Sequence, residues 1–175
     1  MLGIDLELEL QADGEPEKEF HPGIAARLPR KRIAGGALIR DPQGKILFVE
    51  PTYKPTLEIP GGIAEENESP WEACYREVRE EVGLDLAPGC MLVADWIPAH
   101  GVWGDGVMFV FDGGVIDHEQ IERLKVRDTE LRALHFLTLD EASGRLRPSM
   151  ARRLAAAYAA LETGPKYAHF GYPVP

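Results

Sequence analysis

The chain has 175 residues, 45% of them hydrophobic, and a formal net charge of −10. This length suits one domain with a sizeable core. The acidic balance argues against a general nucleic-acid or anionic-membrane binder, since both need basic footprints. A small phosphate substrate stays open to it, because a metal ion can supply positive charge locally.

Leu2, Ile4, Leu6, Leu8 and Leu10 alternate with Asp5, Glu7 and Glu9, a period of two that predicts a half-exposed strand. A strand this short does not hold itself together in water, so it must lie on its own sheet or on a neighbour's. Residues 11–30 are polar, contain Gly and Pro, and read as a connector long enough to reach a second subunit; a homodimer is therefore expected. A strand follows over 32–40, a turn at Asp41-Pro42-Gln43-Gly44, and a return strand over 45–50. Gly35-Gly36 in the first of these predicts close backbone approach, not a phosphate loop. Residues 91–97, 107–111 and 131–139 read as further strands. Pro148-Ser149 caps a helix over 150–161, which Gly164-Pro165 stops. Residues 164–175 have no clear periodicity and read as a tail. Strands around two helices predict an α/β/α sandwich with a mixed sheet.

The most informative stretch is Gly62–Leu84. Ser69 is a good N-cap, Pro70 fits the first helical position, and Glu72 completes a Ser-x-x-Glu capping box. Gly83 is the expected left-handed stop. Between them Trp71, Tyr75, Val78 and Val82 make an apolar stripe. Glu77, Glu80 and Glu81, spaced i, i+3, i+4, share another face, roughly 140° away at 100° per residue. One side can thus pack on a sheet while the other faces an open site. The acids repel each other by about 0.2–0.5 kcal/mol per pair, a sign that a bound cation would reverse. Carboxylates with a glycine turn ahead of them are suitable oxygen ligands for a hard divalent ion. Clustered Glu alone more often marks a solvated helix face. Here Glu68, six positions after Gly62, and Arg76-Glu77-Val78 with Glu80-Glu81, Gly83 and Leu84 fill a longer pattern.

That pattern resembles the Nudix box residue by residue, and Leu57-Glu58-Ile59-Pro60-Gly61 looks like the family's strand into it. A looser likeness in strand order covers residues 30–163, so the resemblance implies a Nudix domain over 31–163 behind the N-terminal strand and connector (1–30). It implies a Nudix-like α/β/α sandwich and hydrolysis of a nucleoside diphosphate linked to another moiety, with Mg²⁺ or Mn²⁺. By carry-over, Glu80 and Glu81 would be metal ligands, Glu77 a ligand or the group orienting the water, and the Gly61 carbonyl a further ligand. Glu68 and Arg76 would form an ion pair pinning the loop to the helix. Leu57 departs from the aromatic residue many members carry there. The chemistry is consistent, since diphosphate hydrolysis needs a cation on the phosphate oxygens and a positioned water. The Gly-Lys-Ser/Thr end of a Walker loop is absent, so a P-loop NTPase is not supported. Family members are often dimers, in line with the strand argument.

Other candidates carry less signal. The family often supplies another acid from the region of Glu119, Glu122 and Glu130; Glu130, directly before the strand at 131, is the preferred one of the three, although an acid here more often marks a solvated loop. Lys54 would meet a substrate phosphate or be an ordinary surface lysine. His21, His100, His118, His135 and His169 show no ligand spacing, and His135 reads as a packing residue. Trp103 reads as a loop anchor before a base-stacking group. Cys74 and Cys90 form neither a metal pair nor a disulfide framework, and Cys74 reads as a packing residue. No apolar run approaches a membrane span and no basic n-region opens the chain, which makes a soluble cytoplasmic protein the expectation.

Two further classes compete with hydrolysis. An isoprenoid-diphosphate isomerase of Nudix-like fold would call for a catalytic cysteine, and only Cys90 at a strand start is available. A non-catalytic nucleotide sensor tends to lose box acids, whereas this box keeps them all. Substrate identity is less legible. Pro98, fourteen residues after Leu84, is out of register with the proline of ADP-ribose hydrolases. The dinucleoside polyphosphate tyrosine has no counterpart over 91–110, and the coenzyme A signature is not visible. Removal of RNA caps or 5′-triphosphates fits poorly with the −10 charge. Nucleoside triphosphates, ADP-ribose and nucleotide sugars remain.

Overall fold

Residues 5–175 are described by the computed structural model, and the chain divides into two compact units, the first ending at Arg30 and the second spanning Lys31–Pro175. In the first unit the expected strand is not formed. Leu6–Ala12 is a helix (α1), with the Asp5 carboxylate accepting from the Leu8 N–H at 3.2 Å, and Ile24–Arg27 is a single helical turn (α2). Leu2 and Ile4 lie outside the described residues. The reason for the difference is local. The segment Leu-Glu-Leu-Glu-Leu-Gln-Ala contains strong helix formers and no β-branched residue. Alternation of period two describes a strand only where a sheet receives it.

The second unit holds the strands Arg32–Arg40 (β1) and Ile46–Pro51 (β2), joined by a turn in which Asp41 Oδ1 accepts from the Gln43 and Lys45 N–H groups at 2.9 and 2.8 Å. Gly61–Ile63 (β3) leads into the helix Pro70–Glu81 (α3). Met91–Ile97 (β4) and Gly106–Val115 (β5) follow, then the short helix His118–Arg123 (α4), Leu131–Leu137 (β6) and Leu139–Ala142 (α5). The helix Pro148–Thr163 (α6) and the strands Lys166–His169 (β7) and Tyr172–Pro173 (β8) complete the chain. Helix α6 starts at Pro148 with no side-chain cap bond, so the expected Pro148-Ser149 cap is replaced by proline at the first helical position.

The sheet runs β6-β2-β1-β5-β4-β7-β8, with β3 beside β1. It is mixed: β1 is parallel to β5 and β4 to β7, while the other pairs are antiparallel. Side chains alternate across it. Leu38, Ile46, Phe48 and Val110 face Leu154, Ala157 and Ala160 of α6, whereas Ala37, Ile39, Leu47 and Val49 join Cys74 and Val78 of α3 and Val82 just beyond it in a second cluster. Helices therefore cover both faces, as an α/β/α sandwich requires. Gly35 carries out the close approach expected of it, since a Cβ there would lie 1.9 Å from the Pro70 carbonyl oxygen.

The residues read as a tail are part of the sheet. β7 pairs with β4 from Val93↔Lys166 to Trp96↔His169. A buried ion pair secures this edge. Arg153 Nε on α6 donates to Asp95 Oδ2 at 2.7 Å, and Asp95 Oδ1 accepts from the Gly171 N–H at 2.9 Å. Among the described residues no helix is long and apolar enough to cross a membrane.

Candidate active site

Helix α3 carries its own punctuation. Ser69 Oγ accepts from the Glu72 N–H at 3.2 Å while Glu72 Oε2 accepts from the Ser69 N–H at 3.0 Å, and Pro70 opens the helix. Ala73, Cys74 and Val78 are buried against the sheet, which turns Glu77, Glu80 and Glu81 toward β3 and solvent. The buried face is rotated from the expected Trp71-Tyr75-Val78-Val82 stripe: Ala73 and Cys74 are buried while Trp71 and Tyr75 are half-buried, and of the three acids only Glu80 is exposed.

Two glycines bring β3 against this acid face. Gly61 has φ +148°, and a Cβ there would lie 2.4 Å from the Gly35 carbonyl oxygen. At Gly62 a Cβ would overlap the Glu77 carboxylate, 2.2 Å from Oε1. The space a side chain would fill is occupied by the carboxylate itself. The Gly61 N–H donates to Glu81 Oε2 at 2.9 Å. The strand ahead of the helix is thus bonded to the helix's last acid.

Arg76 is the hub of the loop. Its Nε and Nη2 donate to the two oxygens of Glu68 at 2.8 and 2.9 Å, Nη2 also reaches the Ile63 carbonyl at 3.2 Å, and Nη1 donates to Glu77 Oε1 at 2.8 Å. Glu80 Oε2 lies 3.3 Å from Nη1. The fork-to-fork contact with Arg76 holds the Glu68 carboxyl below the ordinary carboxylate range. Glu77 shifts the other way, because burial outweighs its bond to Arg76. Glu81 is raised furthest, to about 8, first by burial and further by the charges of Glu77, Asp128 and Glu58, against the opposing Gly61 N–H.

These carboxylates are hard oxygen donors beside a desolvated member of their own group, a donor set that suits Mg²⁺ or Mn²⁺. Among the described residues, no three His, Cys, Asp or Glu side chains are gathered closely enough to hold a metal ion as they stand. Arg76 accounts for part of this, since it draws Glu77 Oε1 and Glu80 Oε2 toward itself.

The sequence matches the NUDIX domain family over residues 30–161, which is most of the chain. The chain belongs to the Nudix family. It is 39% identical over 59 residues to an RNA pyrophosphohydrolase of Halorhodospira halophila (strain DSM 244 / SL1), a stretch covering 34% of this chain and 33% of that protein. The chain thus spans about a third of the length of this curated relative. The MutT protein of Methanosarcina mazei Go1 superposes with a TM-score of 0.64 at 23% identity, covering 77% of this chain and 99% of the other. The NUDIX domain of Shewanella oneidensis NrtR, solved with ADP ribose, gives 0.63 at 16% identity, covering 89% and 98%. At these identities the solved structures establish the Nudix fold.

Within the Nudix domain the remaining candidates are placed as follows. Lys54 Nζ is paired with Glu58 Oε1 at 2.7 Å, so its charge is already shared. Glu130 is exposed; its carbonyl accepts from the Thr52 N–H at 2.7 Å and its own N–H donates to Asp128 Oδ1 at 2.7 Å. His135 bonds Glu50 at 2.7 Å. Trp103 is exposed under the Arg32 guanidinium, 5.0 Å from the ring centre. Cys74 is buried, its thiol pushed up to about 12 by desolvation, and Cys90 is exposed.

Two acids that act on Glu81 were not singled out from the sequence. Glu58 arrives from the strand before the box, where its N–H and carbonyl pair with Val49 at 3.1 and 2.8 Å. Asp128 arrives from the loop after α4, which docks on the end of α3 through Lys125 N–H to the Val82 carbonyl at 3.2 Å and Arg127 N–H to the Glu81 carbonyl at 3.1 Å. Glu58 lies within the Leu57–Gly61 lead-in to the box, so the sequence itself carries a signal for it. Asp128 had none, because only that docking brings it to the helix.

Proposed function

We propose that this Nudix protein is a metal-dependent pyrophosphohydrolase that cleaves a nucleoside diphosphate linked to another moiety by water attack at phosphorus. The observation that carries this reading is Glu81, a carboxylate desolvated beside Glu77, Glu58 and Asp128 and held in place by the Gly61 N–H. Burial and the three neighbouring acids disfavour the ionised form of Glu81, and a bound cation would favour it. Glu80, Glu81, Glu77 and the Gly61 carbonyl are the groups proposed to hold Mg²⁺ or Mn²⁺. Such an ion, when bound, supplies charge stabilisation at the phosphate oxygens and acidifies a coordinated water. Glu77, whose carboxyl burial raises above its usual range, would serve either as one of these ligands or as the group that orients the attacking water. Arg76 and Glu68 are positioning residues: they fix the box loop to α3 and so set where Gly61 and Glu77 lie. Lys54 meets a substrate phosphate once Glu58 turns to the site. Glu130 or Asp128 supplies the further acid of the loop, and Asp128 is the one whose charge reaches Glu81.

Nucleoside triphosphates, ADP-ribose and nucleotide sugars are the substrate classes proposed. The partial likeness to an RNA pyrophosphohydrolase adds the 5′ end of RNA to the panel, although the −10 charge disfavours long polyanions. Retention of every box acid supports hydrolysis over a sensor role, and the burial of Cys74 leaves only exposed Cys90 for an isomerase. A cytoplasmic homodimer is the setting we propose, with exposed Leu6, Leu8 and Leu10 as apolar area for a second copy. The test is a screen of these compounds with Mg²⁺ and with Mn²⁺, reading products by mass. Phosphate or mononucleotide release that a chelator stops is the expected result; binding without any product would replace the hydrolase reading with the sensor one.

A further inference from the structure

A second charged cluster lies on the sheet and takes no part in the box. Glu50, near the end of β2, receives two guanidiniums and an imidazole. His135 Nε2 of β6 lies 2.7 Å from Glu50 Oε2, Arg145 Nη2 lies 2.8 Å from the same oxygen, and Arg132 Nη1 lies 3.6 Å from Oε1. Arg132 Nη2 also donates to the Thr52 carbonyl at 3.2 Å. Two guanidiniums against one carboxylate leave a positive charge whether or not His135 is protonated. On a chain of net charge −10 that is an unusual concentration. Beyond these contacts neither guanidinium has a side-chain partner among the described residues. Both are partly exposed, at 58% for Arg132 and 38% for Arg145. A self-contained structural ion pair would need one arginine, whereas this one carries a second with unused donors facing water.

The cluster is tied to the proposed catalytic site by a short piece of chain. The Leu57 N–H donates to the Arg145 carbonyl at 2.8 Å, and four residues later the Gly61 N–H holds Glu81. Leu57 and Gly61 thus lie at most about 14 Å apart along the backbone, with the Arg145 guanidinium a side-chain length beyond the first of them. Planar guanidinium forks match phosphate oxygens in pairs and are less hydrated than ammonium groups.

We propose that Arg132 and Arg145, set in place by Glu50 and His135, form an anion site for a second phosphate of the substrate, separate from the diphosphate bond that is cleaved. This rests on the hydrolase reading above, and it narrows the substrate to nucleoside diphosphate derivatives bearing a further phosphate. That phosphate is a monoester on a nucleotide or the first diester of an oligonucleotide; the chemistry at the arginines is shared.

The test has two arms on the full chain. In the first, with chelator present, inorganic phosphate is titrated while the imidazole resonance of His135, assigned with His135→Gln, is followed by NMR, with His100 as internal control and chloride as control anion. A saturable shift confined to His135, absent from the Arg132→Gln/Arg145→Gln double variant, is expected. No saturable shift overturns the proposal whatever the chain cleaves. In the second arm KM and kcat are compared for ADP-ribose with and without a 2′-phosphate, and for a 5′-triphosphorylated dinucleotide against a nucleoside triphosphate. One phosphate-bearing compound should show a KM about tenfold lower, the scale of one charged hydrogen bond. Arg132→Gln should raise that KM about tenfold with kcat unchanged, and the pair showing the preference identifies monoester or diester. Equal KM values within both pairs overturn the assignment to substrate. A chain that cleaves nothing removes the hydrolase reading, and the phosphate titration then decides the anion site alone. Should Arg145→Gln unfold the protein, the more exposed Arg132→Gln is read by itself in both arms.

Discussion

The Gly61 N–H donates to Glu81 Oε2 at 2.9 Å, so the strand entering the box and the last acid of its helix position each other. Gly61 reaches that point because no side chain separates it from Gly35 of β1. The carboxylate therefore stands at the meeting of three segments. Moving any one of them moves the site.

Glu81→Gln keeps the acceptor oxygen for Gly61 and removes the charge. We expect turnover to fall by about 10²–10³, the scale of one lost preorganised electrostatic contact, with thermal stability equal to or above that of the parent. Steady-state kinetics beside a melting curve checks both, and near-normal activity on every substrate found would release Glu81 from its proposed role.

Stability of the metal-free chain should depend on pH through the same residue. Glu81 is raised from 4.5 to about 8 in the fold, so the folded state binds its proton more tightly than the unfolded state. Folding is favoured by protonation, and this contribution is lost as pH rises from about 4.5 toward 8. Glu68, lowered by Arg76, acts oppositely and loses its contribution as pH falls below 4.5. Melting temperatures in chelator should thus decline from pH 5 to 8, and Glu81→Gln should flatten the decline. Metal added below pH 8 should release protons into a weakly buffered solution; a metal affinity independent of pH would count against this.

Arg76→Ala removes the fork to Glu68 together with the bonds to Glu77 and Ile63. Loss of these charged hydrogen bonds should destabilise the fold by about 1–3 kcal/mol. The larger effect is expected on metal affinity, because Glu77 and Gly62 lose the loop that holds them together. Metal titrations that superpose on the parent curves would argue for a purely structural arginine.

Asp128→Asn and Glu130→Gln separate the two loop acids. The first should lower kcat by about tenfold, about 1.4 kcal/mol in barrier, and bring the Glu81 titration down. The second should leave both close to the parent, as Glu130 contributes mainly its backbone. The reverse ranking would make Glu130 the working acid.

Asp95→Asn tests the far edge of the sheet. It leaves the Arg153 guanidinium buried with a neutral partner, and breaking a buried pair costs about 3–5 kcal/mol. Urea unfolding should show that loss. The activity of the fraction that remains folded should be unchanged, since Asp95 serves α6, β4 and the terminal hairpin.

What the sequence determined by itself is everything that local spacing controls. The N-terminal cap of α3 and the Asp41–Gly44 turn each lie within a few residues, where helix and turn geometry leave few alternatives, and the Arg76–Glu68 pairing follows from the resemblance to the Nudix box. Tertiary structure decided the rest. Leucines at period two became a helix in Leu6–Ala12, because a strand exists only in relation to a sheet that receives it. The aperiodic end of the chain became β7 and β8, because β4 had an open edge and Asp95 a vacant oxygen for Gly171. Asp128 reaches Glu81, and Arg132 and Arg145 reach Glu50, only after separate elements have packed. Charge–charge proximity of that kind is a property of the folded chain, with no periodic trace along it.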